Sequence, residues 1–436
     1  MNEKLADYRL CLGENEYLPL IVGGMGVDIS TAELALEIAR LGGVGHISDA
    51  MSPFLSDRKF GTHFQADKGK KFKIYRDELV KPEVKWGYED VYRASLNHVR
   101  DTMDHKRGTG GVFINVMEKL NMGNPRETLK ARLDGAMDGG IDGITLSAGL
   151  HKSTLPLITE HSRFRDVKIG IIVSSARALK VFLATSSRVN RLPDYVVVEG
   201  PLAGGHLGFG KDWANFNLRT LTEDVLQLLK EEELSIPVIP AGGVFTGTDA
   251  VDYLRMGASA VQVATRFTIA RECGLPENVQ QTYILSKEED VEVNLSSPTG
   301  YPMRMLKSSP SLVSNIRPNC ESLGYILDAK GQCAYIDAWH AAPVGDDGKK
   351  LPVTDKMCIC THFMNYDCYT CGHYVYRLKD TTVKMENGEY FLPRAEHIFN
   401  DYMTSVEHKI LLPEVDRETD PASPDVSVSR KTVAAR

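Results

Sequence analysis

Tyr195–Gly210 reads YVVVEGPLAGGHLGFG. Its first five residues are a β-branched and aromatic run closed by one carboxylate, Glu199, which is the pattern of a fully buried strand. The loop that follows carries Gly200, Gly204, Gly205, Gly208 and Gly210, and glycine lets a flat ligand lie close against the main chain. His206 stands inside that loop, and histidine is the side chain best suited to moving protons near neutral pH. A strand that delivers a proton-transfer residue over a glycine floor suits a cofactor enzyme. The plainer alternative is a tight turn with an incidental histidine.

Outward from this stretch, short apolar runs alternate with amphipathic segments from Leu18 to about Ala270. The strand candidates are Leu18–Val22, Val44–Ser48, Gly111–Val116, Gly143–Leu146, Ile169–Val173, Tyr195–Glu199, Val238–Ala241 and Ala260–Val263. Helical segments lie between them, among them Thr31–Leu41, Arg126–Asp138, Ala176–Ala184, Thr222–Glu232 and Thr248–Met256. Eight strands alternating with helices predict a parallel sheet closed into a (β/α)8 TIM barrel, with a doubly wound open sheet as the alternative. Residues 51–110, rich in Lys, Asp, Tyr and His, interrupt the rhythm after the second strand. They read as an insertion, partly helical over Glu89–Met103, that forms a lid, a dimer contact or a plain surface excursion. The expected organisation is a barrel over 1–295, a Cys-rich extension over 296–415 and a disordered tail over 416–436. Ser296–Lys307 reads as a connector punctuated by Pro and Gly.

A hydrophobic content of 42% and a net charge of -7 describe a globular chain with no basic surplus for binding nucleic acid. The basic run Lys68–Lys73 reads as a solvated loop. No apolar run reaches the ~18–20 residues of a membrane span, and the N-terminal residues carry no hydrophobic secretory core, so a cytoplasmic protein is expected.

Three more motifs fall at strand ends. Gly23-Gly24-Met25-Gly26 follows the first strand, Ala241-Gly242-Gly243-Val244 the seventh, and Gln262-Val263-Ala264-Thr265-Arg266 closes the eighth. In a (β/α)8 barrel the loops after strands 7 and 8 commonly make a phosphate site from main-chain N–H groups. Gly242, Gly243 and Thr265 suit that role. Met25 would lie over an aromatic ring system, and Asn115 could hydrogen-bond its polar edge. Together the motifs predict a phosphate-bearing cofactor.

PLIVGGMGVDIS, VFINVM, SAGL, IIVSSARA, EGPLAGGHLG, IPVIPAGGV and GASAVQVATRF occur in order over Pro19–Arg271, with a weaker echo in SSPTGYPMRML. In this the chain resembles the nitronate monooxygenase (2-nitropropane dioxygenase-like) family, which includes flavin-dependent enoyl-ACP reductases. The resemblance implies a (β/α)8 barrel holding FMN. By motif, it implies flavin contacts from Gly24, Met25, Asn115, Glu199, Gly204, Gly242, Gly243, Gln262 and Thr265, with His206 as the proton-transfer residue. Two departures stand out. Glu199-Gly200 replaces the Gln-Gly usual in the monooxygenase branch, and Pro201-Leu202 removes an acidic residue; the former looks more like the enoyl reductase branch.

Six of the eight cysteines, Cys320, Cys333, Cys358, Cys360, Cys368 and Cys371, crowd into the extension. Without a secretory signal a disulfide framework is not expected. The close pairs Cys358/Cys360 and Cys368/Cys371 predict one metal centre, with Cys320 and Cys333 as extra ligands and His362 and His373 in reserve. A [4Fe-4S] cluster, a zinc site and free thiols all stay open.

The functional expectation is an FMN-dependent oxidoreductase that oxidises alkyl nitronates or a related small substrate. The alternatives are an enoyl-thioester reductase and a flavin-binding subunit of an electron-transfer complex. NAD(P)H or an electron-transfer protein would supply electrons, and a homodimer is expected.

Overall fold

In a computed structural model, which describes residues 3–120, 123–328 and 330–415, eight parallel strands close into a barrel. The strands are β1 (Leu20–Val22), β2 (Val44–Ser48), β3 (Gly111–Met117), β4 (Gly143–Ser147), β5 (Lys168–Val173), β6 (Tyr195–Glu199), β7 (Val238–Ala241) and β8 (Val261–Val263). β8 closes the ring on β1, with Val261 opposite Leu20, and β7 pairs with β6, with Val238 opposite Val196. The predicted tail, 416–436, lies outside the described residues.

The strands are buried on both faces, which is why they read as continuous apolar runs rather than alternating ones. Some of the helices between them start where a hydroxyl side chain satisfies a free N–H group. Thr31 accepts from the N–H of Leu34 at 3.0 Å, and Ser175 from that of Ala178 at 3.2 Å. Within the barrel, Phe113 and Tyr195 lie against strand glycines. A Cβ on Gly143 would stand 2.8 Å from the Phe113 ring, and one on Gly170 2.1 Å from the Tyr195 ring.

A buried polar chain crosses this interior. His46 Nδ1 lies 2.9 Å from the carbonyl of Val22, its Nε2 2.5 Å from Thr145 Oγ1, and Thr145 Oγ1 2.5 Å from the Tyr195 hydroxyl. Burial drives the His46 pKa down to about 4, so the ring is neutral at pH 7. A carbonyl can only accept. Nδ1 therefore carries the proton, Nε2 accepts from Thr145, and Thr145 accepts from Tyr195.

One sequence expectation is met closely and one changes. Within 51–110, Tyr88–Asp104 is a full helix packed along the helix Pro125–Asp138, where the Ser95 hydroxyl donates to the carbonyl of Arg132 at 2.9 Å. The connector Ser296–Lys307 contains a real strand, Met303–Leu306. It pairs on one side with Val291–Asn294 and on the other with Gly205–His206. Pro and Gly confine the turn to its first half, and the apolar Met-Arg-Met-Leu run then finds an open strand edge.

The C-terminal segments pack back onto the barrel. The helix Ala395–Thr404 is anchored by the buried ion pair Arg266–Asp401 at 2.6 Å, with the Arg266 guanidinium 4.8 Å over the Tyr402 ring. Replacing one member of a buried pair strands the other charge. Arg266→Leu is therefore expected to lower stability by roughly 3–5 kcal/mol. Urea unfolding checks this, and an unchanged midpoint would contradict it.

Candidate active site

A cavity of about 630 Å³ opens at the C-terminal ends of the barrel strands. Gly24, Met25, Asn115, Glu199, Gly204, His206, Gly242, Gly243, Gln262 and Thr265 all line it, so the structure brings every sequence-predicted cofactor and catalytic position to one place. This follows from topology, since parallel strands present their following loops on the same rim.

The walls carry polar groups with no protein partner. The amide oxygens of Asn115 and Gln262 are buried and unpaired. An unsatisfied buried acceptor is costly, so these two point to a ligand with matching donors. Gly242 and Gly243 adopt φ of +88° and +106°, conformations that glycine permits, and a Cβ on Gly242 would meet the Ala203 nitrogen at 2.9 Å. Glu199 closes β6, and its enclosure raises the carboxyl pKa to about 7.

His206 Nε2 lies 2.7 Å from Ser297 Oγ, which lies 2.8 Å from Thr299 Oγ1. Enclosure lowers the His206 pKa to about 4. The imidazole is thus neutral at pH 7 and able to take a proton.

Sequence reading missed the residues that frame this loop. The guanidinium of Arg304, on the Met303–Leu306 strand, donates to the carbonyls of Pro201 at 2.6 Å and Ala203 at 2.5 Å. It also lies 4.7 Å over the Trp213 ring. The carbonyl of Arg304 accepts from the N–H of Cys371 at 3.3 Å, and a Cβ on Gly204 would stand 2.7 Å from Cys371 and Gly372 main-chain atoms. The extension therefore forms part of the wall, through Tyr325, Ile326, Cys360, Phe363 and Cys371. A PMRML run signals a strand but not its partner.

The expected metal centre is corrected. Among the described residues, no three His, Cys, Asp or Glu side chains converge closely enough to hold an ion. Cys371 faces the barrel cavity, and Cys368 packs among Met303, Met305 and Met357. Cys358 and Cys360 border a different, small void. His362 is engaged by Asp367 at 2.7 Å and Ser314 at 2.8 Å. His373 stands 3.8 Å from Glu288.

A sequence model described as nitronate monooxygenase matches residues 118–326. A probable nitronate monooxygenase of Staphylococcus saprophyticus is 22% identical over 297 residues, 67% of this chain and 77% of that protein. A (3aS,4S,5R,7aS)-5-hydroxy-7a-methyl-1-oxo-octahydro-1H-indene-4-carboxyl-CoA dehydrogenase of Rhodococcus jostii is 28% identical over 137 residues, 31% of this chain and 35% of that protein. Among solved structures, FabK from Thermotoga maritima aligns with a TM-score of 0.52 at 16% identity, covering 90% of this chain and 93% of its own. Nitroalkane oxidase from Streptomyces ansochromogenes aligns with a TM-score of 0.54 at 15% identity, covering 88% and 94%. At such identities these structures establish the fold. Barrel and sequence relatives together define an oxidoreductase. The sequence model and the Staphylococcus saprophyticus relative carry the same family description as the resemblance seen in the motifs. Among the described residues no helix is long and apolar enough to cross a membrane.

The buried histidines set an acid limit on stability. His46 and His206 are lowered to about 4 and His98 to about 3, all chiefly by burial. A His whose folded pKa is depressed stabilises fully above its unfolded pKa, about 6.5, and loses that contribution as pH falls toward the folded value. Glu199, raised to about 7, acts the opposite way: its contribution is full below pH ~4.5 and lost as pH rises through 7. Three groups outweigh one. The urea midpoint is expected to fall from pH 7 to pH 5, the buried His46 and His98 each costing roughly 2 kcal/mol and the half-buried His206 less. A midpoint that rises over this range would contradict the buried neutral state.

Proposed function

We propose that this protein is an FMN-dependent oxidoreductase that oxidises alkyl nitronates or a related small substrate, with His206 moving the proton. The reading rests on one observation above others: the unpaired buried amide oxygens of Asn115 and Gln262 on the wall of a cavity bordered by glycine. The one ring N–H of an oxidised flavin, and the second it gains on reduction, match such acceptors. Gly242, Gly243 and Thr265 would hold the phosphate, and Gly24 and Met25 would lie along the ring. When bound, FMN would supply electron acceptance from the substrate and electron delivery to dioxygen.

The chain's own groups supply the rest. Neutral His206 handles the proton that accompanies electron transfer from the substrate, and its Ser297 hydrogen bond orients the ring. Arg304 holds the Pro201–Ala203 carbonyls, so the imidazole is presented from a fixed loop. Phe363, edge-on to His206 with centroids 6.4 Å apart, keeps that side of the site apolar.

A second reading is an enoyl-thioester reductase drawing on NAD(P)H or a protein carrier. Lys119 and Lys152 line the same roomy cavity and suit an anionic acyl carrier. Turnover of a nitronate in air, against turnover of an enoyl thioester with reductant under anaerobic conditions, separates the two.

The purified protein is expected to be yellow and to release FMN on denaturation. A colourless protein that binds no added FMN would overturn the reading. His206→Ala should keep the flavin and slow turnover of the active substrate by roughly 10²–10⁴-fold. Unchanged steady-state rates would make His206 structural.

A further inference from the structure

We propose that the extension gives the active-site cavity an apolar wall that selects substrates carrying a longer alkyl chain, with Ile326, Ile359 and Phe363 setting the preference. The inference rests on the flavin reading and names the substrate class within it. Val27 and Met51, from the loops after β1 and β2, and Met117, at the end of β3, line the cavity together with Ile326, Ile359 and Phe363. These side chains form one continuous patch. Val27 and Met51 belong to a buried cluster against which Met117, Ile326 and Phe363 pack, and Ile326 and Phe363 also pack against the cluster that holds Ile359.

The patch begins at the reacting centre. Phe363 stands edge-on to His206, with centroids 6.4 Å apart. Ile359 and Phe363 are four residues apart on the helix Ile359–Met364, a spacing that puts both on one helix face. Both lie beyond residues 118–326, which the nitronate monooxygenase model matches, so this part of the wall comes from the extension.

Charge is held off the patch. Glu118 Oε2 accepts from the N–H of His151 at 3.2 Å, and exposed Lys119 lies 5.7 Å from the centre of the exposed Tyr301 ring. The expected cofactor positions come mainly from the ends of β6, β7 and β8, whereas the apolar side chains gather after β1, β2 and β3. Apolar surface is unfavourable against water, and the gain from covering it grows with the area covered. A short substrate reaching only His206 leaves the patch bare, and each further methylene group covers more of it. Ile326 and Ile359 also border a small, almost wholly apolar void of about 20 Å³. That space is too small for a ligand, but it lets the two side chains shift as a longer chain settles against them.

The test is a homologous series on the full-length protein with its flavin. Steady-state kcat/KM is measured for the nitronates of nitroethane, 1-nitrobutane, 1-nitrohexane and 1-nitrooctane. Binding of acetate, butanoate, hexanoate and octanoate is measured in parallel by calorimetry, since a carboxylate, like a nitronate, is a planar anion with two oxygens. Each added methylene should raise both kcat/KM and alkanoate affinity roughly three- to fourfold until the patch is covered. Ile326→Trp and Ile359→Trp should flatten the rise, and Leu285→Trp, at a position 60% exposed, should keep it. Flavin content reports on the fold of each variant, and where a variant loses flavin the wild-type series decides. A wild-type trend that is flat or falls with length, in either series, overturns the proposal. An unchanged rise in flavin-loaded Ile326→Trp and Ile359→Trp overturns the assignment of the wall. Alkanoate affinity that climbs with length while no nitronate turns over would instead defeat the nitronate reading and leave the apolar wall standing.

Discussion

The active-site loop after β6 has almost no regular structure, so one side chain from elsewhere must hold it. That side chain is Arg304. Its guanidinium takes the carbonyls of Pro201 and Ala203, lies over Trp213, and comes from a strand whose main chain pairs with Gly205 and His206. One guanidinium nitrogen, Nη1, donates to both carbonyls, and a charged donor away from bulk water makes stronger hydrogen bonds than a neutral one. Through it the glycine floor, the histidine and the extension form one rigid wall. Gly204 can meet the main chain at Cys371 and Gly372 only because it has no side chain.

Inside that frame, enclosure decides protonation. His46 and His206 are kept neutral by removal from water, while Glu199 is pushed toward its neutral form by the same cause. The outcome differs because burial always opposes the charged state, and charge means gaining a proton for one group and losing it for the other. One cavity therefore carries a neutral imidazole and a carboxyl poised near neutrality.

Much of the barrel was legible in the chain. β2, β6 and β7 match their apolar runs residue for residue, because strands buried on both faces leave an unbroken hydrophobic record between glycine and polar breaks. The predicted cofactor positions gather at one cavity, because parallel strands put all their following loops on the same rim. The helix Tyr88–Asp104 was legible over Glu89–Met103 even within a polar stretch, because its buried positions Val91, Ala94, Ser95, His98 and Val99 recur on one face.

Sequence alone thus determined the strand–helix order, the glycine-rich strand ends and the histidine among them, since these are local patterns written in spacing and residue type. Only tertiary structure decided which distant side chains serve them. Ser297 reaches His206 across a separation of 91 residues, and Arg304 reaches Pro201 across 103. Cys358 borders a small void, whereas Cys368 packs among methionines and Cys371 lines the barrel cavity, despite their closeness in the chain. Spacing records what one element can do by itself. The direction in which a loop side chain finally points depends on the neighbours it packs against, and those come from remote parts of the chain.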